Sequence, residues 1–598
     1  MKLTRNKPNK RIISRTKEVI DVNVVIRFGM IGIIVSTMLL ASLPSASATL
    51  YGDANEDTRI NMQDVTKVER MILEYDPETT SADTNQDDDI NMQDVTYIEL
   101  IILERKPFPG GSLNAVMIFG PKDNTLDPAY KWTGWYMRKA GIYETLFKYN
   151  AEMELTPELA TGYTQVSDTV WDIHLREGVT FHDGTPFNAD AVVYSIGRVT
   201  DESNSRSSEY DHIASVVAQD DYTVRITTTD PYAPTIASLT DPLVSMVSPD
   251  ASDLATDPVG TGPFMYDSNE FGASLSVVRN PDYWGGGVKL EDATLTYVRD
   301  STTRATMLES GDVDMARGLP YPQVSTIEGD PDLDVVGKET MRVYFMFVNT
   351  EKAPLDDVRV RQAINYAIDR DEVVDVALEG VGGVSAKGVF PSIFPWANDE
   401  LAGYPHNQAT ALALLEDAGI TDIDGDGTLE YDGADFTLNI KTYTSRAAMQ
   451  PSVEVIQSQL EDIGIVVTTD FTGSGPVKEA MTAGTYDLAF YSYGVAPSGD
   501  PDYYLTAHFD STAGYKENGW TRYSNATVDS LLASAREEMD LDKRKDYYDQ
   551  AQAIIVEESP EMFIFHEKEL VGYDNKVIGY EIYPNEITFL TKNMYIGR

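Results

Sequence analysis

The sequence predicts a mixed α/β protein of two lobes, preceded by a small all-α unit built from two loop–helix repeats. Three observations carry this reading. The heptapeptide INMQDVT occurs at Ile60–Thr66 and again at Ile90–Thr96, each copy preceded by the same ladder of oxygen-bearing side chains. Beyond residue 112, strand-like and helix-like segments alternate for about 490 residues, too many for one hydrophobic core. A single long apolar run lies near the start, and no second one follows.

Residues 1–48 read as an export signal. Basic residues spread from Lys2 to Arg27, Phe28–Leu43 is apolar, and Ala46-Ser47-Ala48 has the small-x-small cleavage pattern. The apolar run is about 16 residues, short of the roughly 20 that span a bilayer. Cleavage after Ala48 and a secreted, extracellular mature chain are therefore expected. The 598 residues contain no Cys, which excludes disulfides, thiolate catalysis and a lipidated cysteine anchor. Lys and Arg number 47 against 96 Asp and Glu, a net charge of −49 that repels nucleic acid and anionic membranes.

Residues 51–106 form the small unit. Asp53, Asn55, Asp57, Asn61 and Asp64 occupy positions 1, 3, 5, 9 and 12 of a loop, and Asp83, Asn85, Asp87, Asn91 and Asp94 repeat that register. Arg59 and Asp89, at position 7, add backbone carbonyls. Calcium takes six to eight hard oxygens, and a 12-residue loop supplies them at these spacings. Three carboxylates per loop would repel one another without a cation, so two Ca2+ are expected. Each loop leads into a segment of helical period, Val65–Glu74 and Val95–Glu104. Position 6 holds Thr58 and Asp88, where the backbone turns sharply. A β-branched residue at positive φ is strained by about 1–3 kcal/mol, which makes the first loop the weaker. Pro-Phe-Pro-Gly-Gly (107–111) is a breaker-rich linker.

In the large domain (112–598), Tyr222–Thr229, Leu275–Asn280 and Asp435–Thr444 alternate as strands do. Val358–Leu378 and Ala409–Gly419 have helical period. There is no G-x-S-x-G elbow, no phosphate-cradling loop and no second His to make a zinc helix of His566-Glu567. The six His are scattered. No enzymatic constellation emerges, although paired carboxylates of the glycosidase kind are compatible with so acidic a chain. A further acidic loop, Asp422-Ile423-Asp424-Gly425-Asp426-Gly427, resembles a calcium ladder, but its position 12 is Gly433, which has no ligating side chain.

Two family resemblances attach to these residues. Tyr51–Lys106, with its duplicated loop–helix units ending in aspartate, resembles a type I dockerin; that implies a cohesin-type partner and places Met62-Gln63 and Met92-Gln93 at the recognition positions. Leu126-Asp127-Pro128, Ile142-Tyr143-Glu144-Thr145-Leu146, Trp171–Ser195, Val259–Phe264, Arg279–Gly286, Ser310–Ala316 and Pro354–Arg370 resemble, in order, the blocks of family 5 solute-binding proteins. These are the receptors of peptide, nickel and some oligosaccharide importers. The resemblance implies a two-lobed periplasmic-binding-protein-like fold with a hinged cleft. Lobe I would be about 112–340 plus 542–598 and lobe II about 342–541. It also implies delivery of the ligand to an ABC permease.

The same resemblance suggests the ligand contacts: Trp132, Trp135 and Tyr136, then Tyr210, Tyr493, Asp500 and Asn585. Trp135 and Tyr493 are expected to face one ligand from opposite lobes, with Tyr210 in the same pocket. Two departures bear on the ligand. Dipeptide receptors carry an Asp for the free amine where this chain has Pro497, and nickel receptors carry an Arg where Asp241–Asp250 has none. Peptide and nickel complex remain open, with oligosaccharide behind them. The rival from another class is a hydrolase carried by its dockerin.

Overall fold

A computed structural model describes residues 62–73, 90–102, 110–495, 497–512 and 518–597, with Ala54, Thr79 and 82–84. The export signal, the linker up to Pro109, and Asp53, Asn55, Asp57, Arg59, Asn61, Asn85, Asp87 and Asp89 lie outside the described residues.

In the small unit, helices Met62–Ile72 and Met92–Ile102 pack through Val65, Val68, Met71, Val95 and Ile98. Asp64 and Asp94 are fully buried in the first turns of their helices. Asp94 accepts from the amides of Thr84 (2.8 Å) and Asn91 (2.9 Å), so the side chain that would close the second loop also starts the helix.

The large domain is organised by an eleven-stranded mixed sheet. At its centre two long strands, Leu333–Val348 and Glu561–Asp574, pair antiparallel, with Leu333 opposite Asp574 at one end and Phe347 opposite Glu561 at the other. On one side follow Leu488–Gly494, Thr437–Tyr443 and Val466–Thr472; on the other Met315–Arg317, Ser112–Met117, Asp292–Tyr297, Ser274–Arg279 and Phe264–Glu270. The register of the central pair slips between Glu339 and Val343, with a further one-residue shift between Tyr344 and Phe345. Two large cores form on either side of this slip. One gathers Val343–Val348, Met562–Phe565 and most of residues 355–555; the other gathers Leu113–Leu295 with Val571, Phe589 and Leu590. The central strands are thus the crossing between lobes.

The lobe boundary differs from the expectation. Helix Leu541–Glu558 belongs to the second lobe, because Tyr548, Ala551 and Ile555 pack in its core; the chain rejoins the first lobe only in the later part of Glu561–Asp574. The hairpin Phe147–Tyr149 and Leu155–Pro157 also crosses over. Tyr149 and Met153 lie in the second lobe's core, and the Tyr149 hydroxyl donates to the Gly499 carbonyl at 3.1 Å. Gly499 is required there: its φ is +61°, and a Cβ would stand 1.9 Å from the Tyr149 ring.

The expected strands form as Thr223–Thr228, Ser274–Arg279 and Thr437–Tyr443. The expected helix over 358–378 is broken. Val358–Ala367 ends at an extended Ile368, Asp369 caps a new start by accepting from the Glu372 amide, and Val373–Ala377 is a π turn. The buried Arg370 guanidinium binds the carbonyls of Phe563 and Asn365, holding the break against the neighbouring strand.

Candidate functional site

The cleft wall begins at the turn Leu126-Asp127-Pro128, which feeds the short helix Thr133–Lys139. On a helix, positions i, i+3, i+4 and i+7 share a face. Trp132 at the cap, Trp135, Tyr136 and Lys139 follow that spacing, and all four line a cavity of about 560 Å³ between the lobes. Trp132 and Trp135 meet edge to face with centroids 5.9 Å apart. The Trp135 Nε1–H is buried and has no partner.

The charges of this cavity oppose those of the chain as a whole. Lys139, Arg299, Arg304, Arg317, Arg342, Arg446 and Lys568 line it, against Asp300, Glu567, Glu569 and Glu586. The pairing is partial. Arg317 Nε donates to Glu569 at 2.6 Å, and Arg342 forks onto Glu586 at 2.9 and 3.1 Å. Arg304 is occupied by the carbonyls of Arg317, Val298 and Arg299. Arg446 comes only to 3.8 Å from Glu567, whose carboxylate also accepts from Tyr344 at 3.0 Å. Burial pushes the Glu586 carboxyl up, but Arg342, Arg446 and Lys139 outweigh it and hold the group down to about 2. Glu567 is displaced upward by burial, against the pull of Arg446, with Glu586 reinforcing the rise. The cavity therefore holds ionised Glu586 and a surplus of cations.

A second cavity of about 490 Å³ adjoins the first at Trp132 and is walled by Tyr210, Tyr232, Tyr493 and Tyr503. Here the lining carboxylates, Glu209, Asp211, Asp241, Asp500 and Asp502, outnumber the cations Lys131 and Arg206, and most of them are paired. Arg206 stacks 4.0 Å from the Trp132 ring and pairs with Glu209 (2.7 Å) and Asp241 (2.9 Å). Asp500 is held bidentately by Arg544 at 2.7 and 2.8 Å. Asp502 takes Arg536 at 3.1 Å and, across the cleft, the Tyr232 hydroxyl at 3.2 Å.

The expected contacts are therefore distributed over two spaces. Trp135 and Tyr136 line the first, Tyr210, Tyr493 and Asp500 the second, and Trp132 both. The single pocket expected to join Trp135 with Tyr493 and Tyr210 is split in two. Asp500 lines the second space with both oxygens already committed to Arg544. Asn585 is buried, accepts from the Ile587 amide at 3.3 Å, and leaves the cavity wall to its neighbour Glu586. Tyr493 is half-buried against the second core, with its ring 5.1 Å from His508 and 5.7 Å from Tyr504. The cationic residues were missed in sequence. For Lys139 the signal was present in the 132/135/136/139 spacing; Arg342, Arg446 and Glu586 come from distant segments that only the fold brings together.

The recognised blocks are scaffold. Glu144, from the Ile-Tyr-Glu-Thr-Leu block, is buried and accepts from Tyr283 (2.6 Å) and Trp284 (2.7 Å) of Asn-Pro-Asp-Tyr-Trp-Gly-Gly and from Thr261 (2.8 Å) of Val-Gly-Thr-Gly-Pro-Phe. Three separate blocks thus converge on one carboxylate.

Residues 154–516 match the family described as bacterial extracellular solute-binding proteins, family 5. The chain belongs to that family. As a family 5 solute-binding protein it is 30% identical over 494 residues to the glutathione-binding protein GsiB of Shigella dysenteriae serotype 1, covering 79% of this chain and 92% of that protein. The nickel ABC transporter structure from Bacillus halodurans superposes with a TM-score of 0.68 at 30% identity, over 81% of this chain and all of that one. The periplasmic binding protein DppA of Helicobacter pylori, in complex with the peptide STSA, does so with a TM-score of 0.68 at 27% identity, over 83% and 100%. The two-lobed fold expected from the sequence is thereby borne out. Residues 51–103 match the dockerin type I domain. Among the described residues no helix is long and apolar enough to cross a membrane.

Two metal expectations bear on the geometry. In the small unit the described members of the two ladders are Asp64, Asp83, Asn91 and Asp94; Asp64 and Asp94 are buried, and both Asp94 oxygens accept from backbone amides. At Asp422, Asp424 and Asp426 the carboxylates lie within 4.8 Å of one another and are exposed, and Asp422 is already engaged by the amides of Gly425 and Gly427.

Proposed function

We propose that this protein captures a small carboxylate-bearing solute outside the cell, a peptide or a nickel chelate, and delivers it to the permease of an ABC importer. The observation that carries this reading is the first cavity: seven basic side chains against four acidic ones, in a chain whose net charge is −49. Desolvating that many guanidinium and ammonium groups is costly unless an anion accompanies them. Arg446, half-paired, and the unpartnered Trp135 Nε1–H are donors that a ligand carboxylate would satisfy. The names of the relatives, which specify glutathione, nickel and a peptide, fit such a ligand. Trp132, Tyr210 and Tyr493 would wall the remainder of the ligand in the second cavity. The protein is a receptor rather than an enzyme; its relatives are named as binding and transport proteins. The dockerin-like unit, holding two Ca2+ on its repeated ladders, would attach the receptor to a cohesin-type partner at the cell surface. Its exposed Met62 and Met92, one at the start of each helix, offer that partner two equivalent faces.

Calorimetric titration tests the ligand class, using reduced glutathione, the peptide Ser-Thr-Ser-Ala with a free or amidated C-terminus, and a nickel–histidine complex. The expected result is binding of at least one carboxylate probe, lost on amidation and weakened tenfold or more in Arg446→Gln. Equal affinity for the amidated peptide would overturn the reading.

A further inference from the structure

Lys139 faces the first cavity from helix Thr133–Lys139, and among the described residues its amino group has no carboxylate partner. Arg317 is taken by Glu569, Arg342 by Glu586 and Glu567, and Arg304 by backbone carbonyls, whereas no hydrogen bond or carboxylate within 4 Å engages the Lys139 amino group among the described residues. The charged groups that line the cavity with it come from several segments: Arg299 and Asp300, Arg304 from Ser301–Glu309, Arg317 from Met315–Arg317, Arg342 from Leu333–Val348, Arg446, Glu567, Lys568 and Glu569 from Glu561–Asp574, and Glu586 from the C-terminal segment. Six other cations thus share the cavity with four carboxylates. A seventh positive charge is disfavoured in the half-buried empty cleft and favoured once an anion enters.

Resting on the carboxylate reading above, we propose that Lys139 is a charge-variable anchor: its amino group is largely free to lose its proton while the cleft is empty, and it takes one up from solvent when a ligand carboxylate binds. Burial first, and then Arg317, lower this ammonium to about 7, in agreement with the geometry. A Lys is suited to such a part and an Arg is not, because a guanidinium stays protonated whatever its surroundings. Ligand capture is then linked to proton uptake. Affinity weakens as pH rises through neutrality, and an arginine at position 139 would remove that dependence while keeping the charge.

The test uses the intact chain with its lysines reductively methylated with ¹³C, followed by NMR titration from pH 5.5 to 10. One resonance, absent from Lys139→Arg, is expected to titrate near 7, apart from the other lysines, and to move upward by at least one pH unit with reduced glutathione. Calorimetry of glutathione binding in phosphate and in Tris should report proton uptake, with affinity falling about four- to eightfold between pH 6.5 and 8 in the parent chain and little in Lys139→Arg. A Lys139 midpoint in the ordinary lysine range without ligand overturns the proposal irrespective of any ligand. So does glutathione binding without proton uptake. A low midpoint with no binding of glutathione or of free-carboxylate peptide supports the variable charge and sinks the carboxylate reading instead.

Discussion

Replacing Glu144 separates two contributions of a buried carboxylate. Its oxygens accept from Tyr283, Trp284 and Thr261 at 2.6, 2.7 and 2.8 Å. Burial, reinforced by the charge of Glu158, pushes the group up from 4.5 to about 7 despite the donors. A carboxyl raised in the folded state favours folding most below its unfolded value, and that contribution is lost as pH rises through the folded value. Between 4.5 and 7 this amounts to about 3 kcal/mol as a ceiling. Glu144→Gln removes the charge; its amide oxygen can accept from Trp284 and Thr261 while its NH2 faces the Tyr283 hydroxyl. It should cost about 1 kcal/mol or less at pH 5.5 and equal or exceed the parent stability at pH 8.5. Glu144→Ala strands three donors and opens a cavity, for a loss of about 3–5 kcal/mol at every pH. Urea unfolding followed by Trp fluorescence at pH 5.5, 6.5, 7.5 and 8.5 measures both. If Glu144→Gln keeps the parent's pH slope, Glu144 is ionised throughout and the reasoning fails. A small loss in Glu144→Ala would mean that the three blocks do not depend on this junction.

Three further outcomes follow from the same geometry. Tyr493→Ala should both weaken ligand binding and lower stability by about 2 kcal/mol, because the ring packs on Tyr504 and His508; an unchanged melting temperature would place it outside the core. Trp135→Phe keeps one aromatic ring and removes the unpartnered Nε1–H with the five-membered half of the indole, so glutathione affinity should fall several-fold; unchanged affinity in calorimetry would show that the donor faces no ligand. Chelating calcium from the intact chain should raise hydrogen exchange in Met62–Ile72 and Met92–Ile102 and leave the large domain protected, as measured by mass spectrometry; equal exchange with and without chelator would contradict metal-dependent folding of the small unit.

The legibility of this protein in its sequence followed the range of the interactions concerned. Repeats and local periodicity are short-range signals, and both helices of the small unit and the strands near 223, 274 and 437 were readable. The break at Ile368 was not, because Val358–Leu378 keeps helical spacing throughout; the interruption is imposed by Asp369 capping a new turn and by Arg370 reaching the carbonyl of Phe563, nearly two hundred residues away. The lobe boundary was misjudged for a similar reason. A long amphipathic helix at 541–558 says nothing about which core its Tyr548 and Ile555 will join. In the cleft, aromatic residues were found through resemblance, whereas the charges that define its chemistry are ordinary Arg and Glu among 143 charged residues, set apart only by convergence in space.

The slip in the central ribbon has a mechanical consequence. The two long strands that carry the chain between the lobes run as one hydrogen-bonded pair, so a change of angle between the lobes flexes that pair, and its ladder is interrupted between Glu339 and Val343. Such a joint permits bending about a single axle and resists sliding. Arg342 lies within the interruption, and Glu567 follows His566, the residue opposite Val343. The charges that would grip a ligand therefore sit on the axle and travel little. Contacts made off the ribbon, such as Tyr232 with Asp502 and the Ala233 amide with the Arg536 carbonyl, are the ones that must part and rejoin at each stroke. A solute would thus be held by an almost stationary grip before the jaws meet over it.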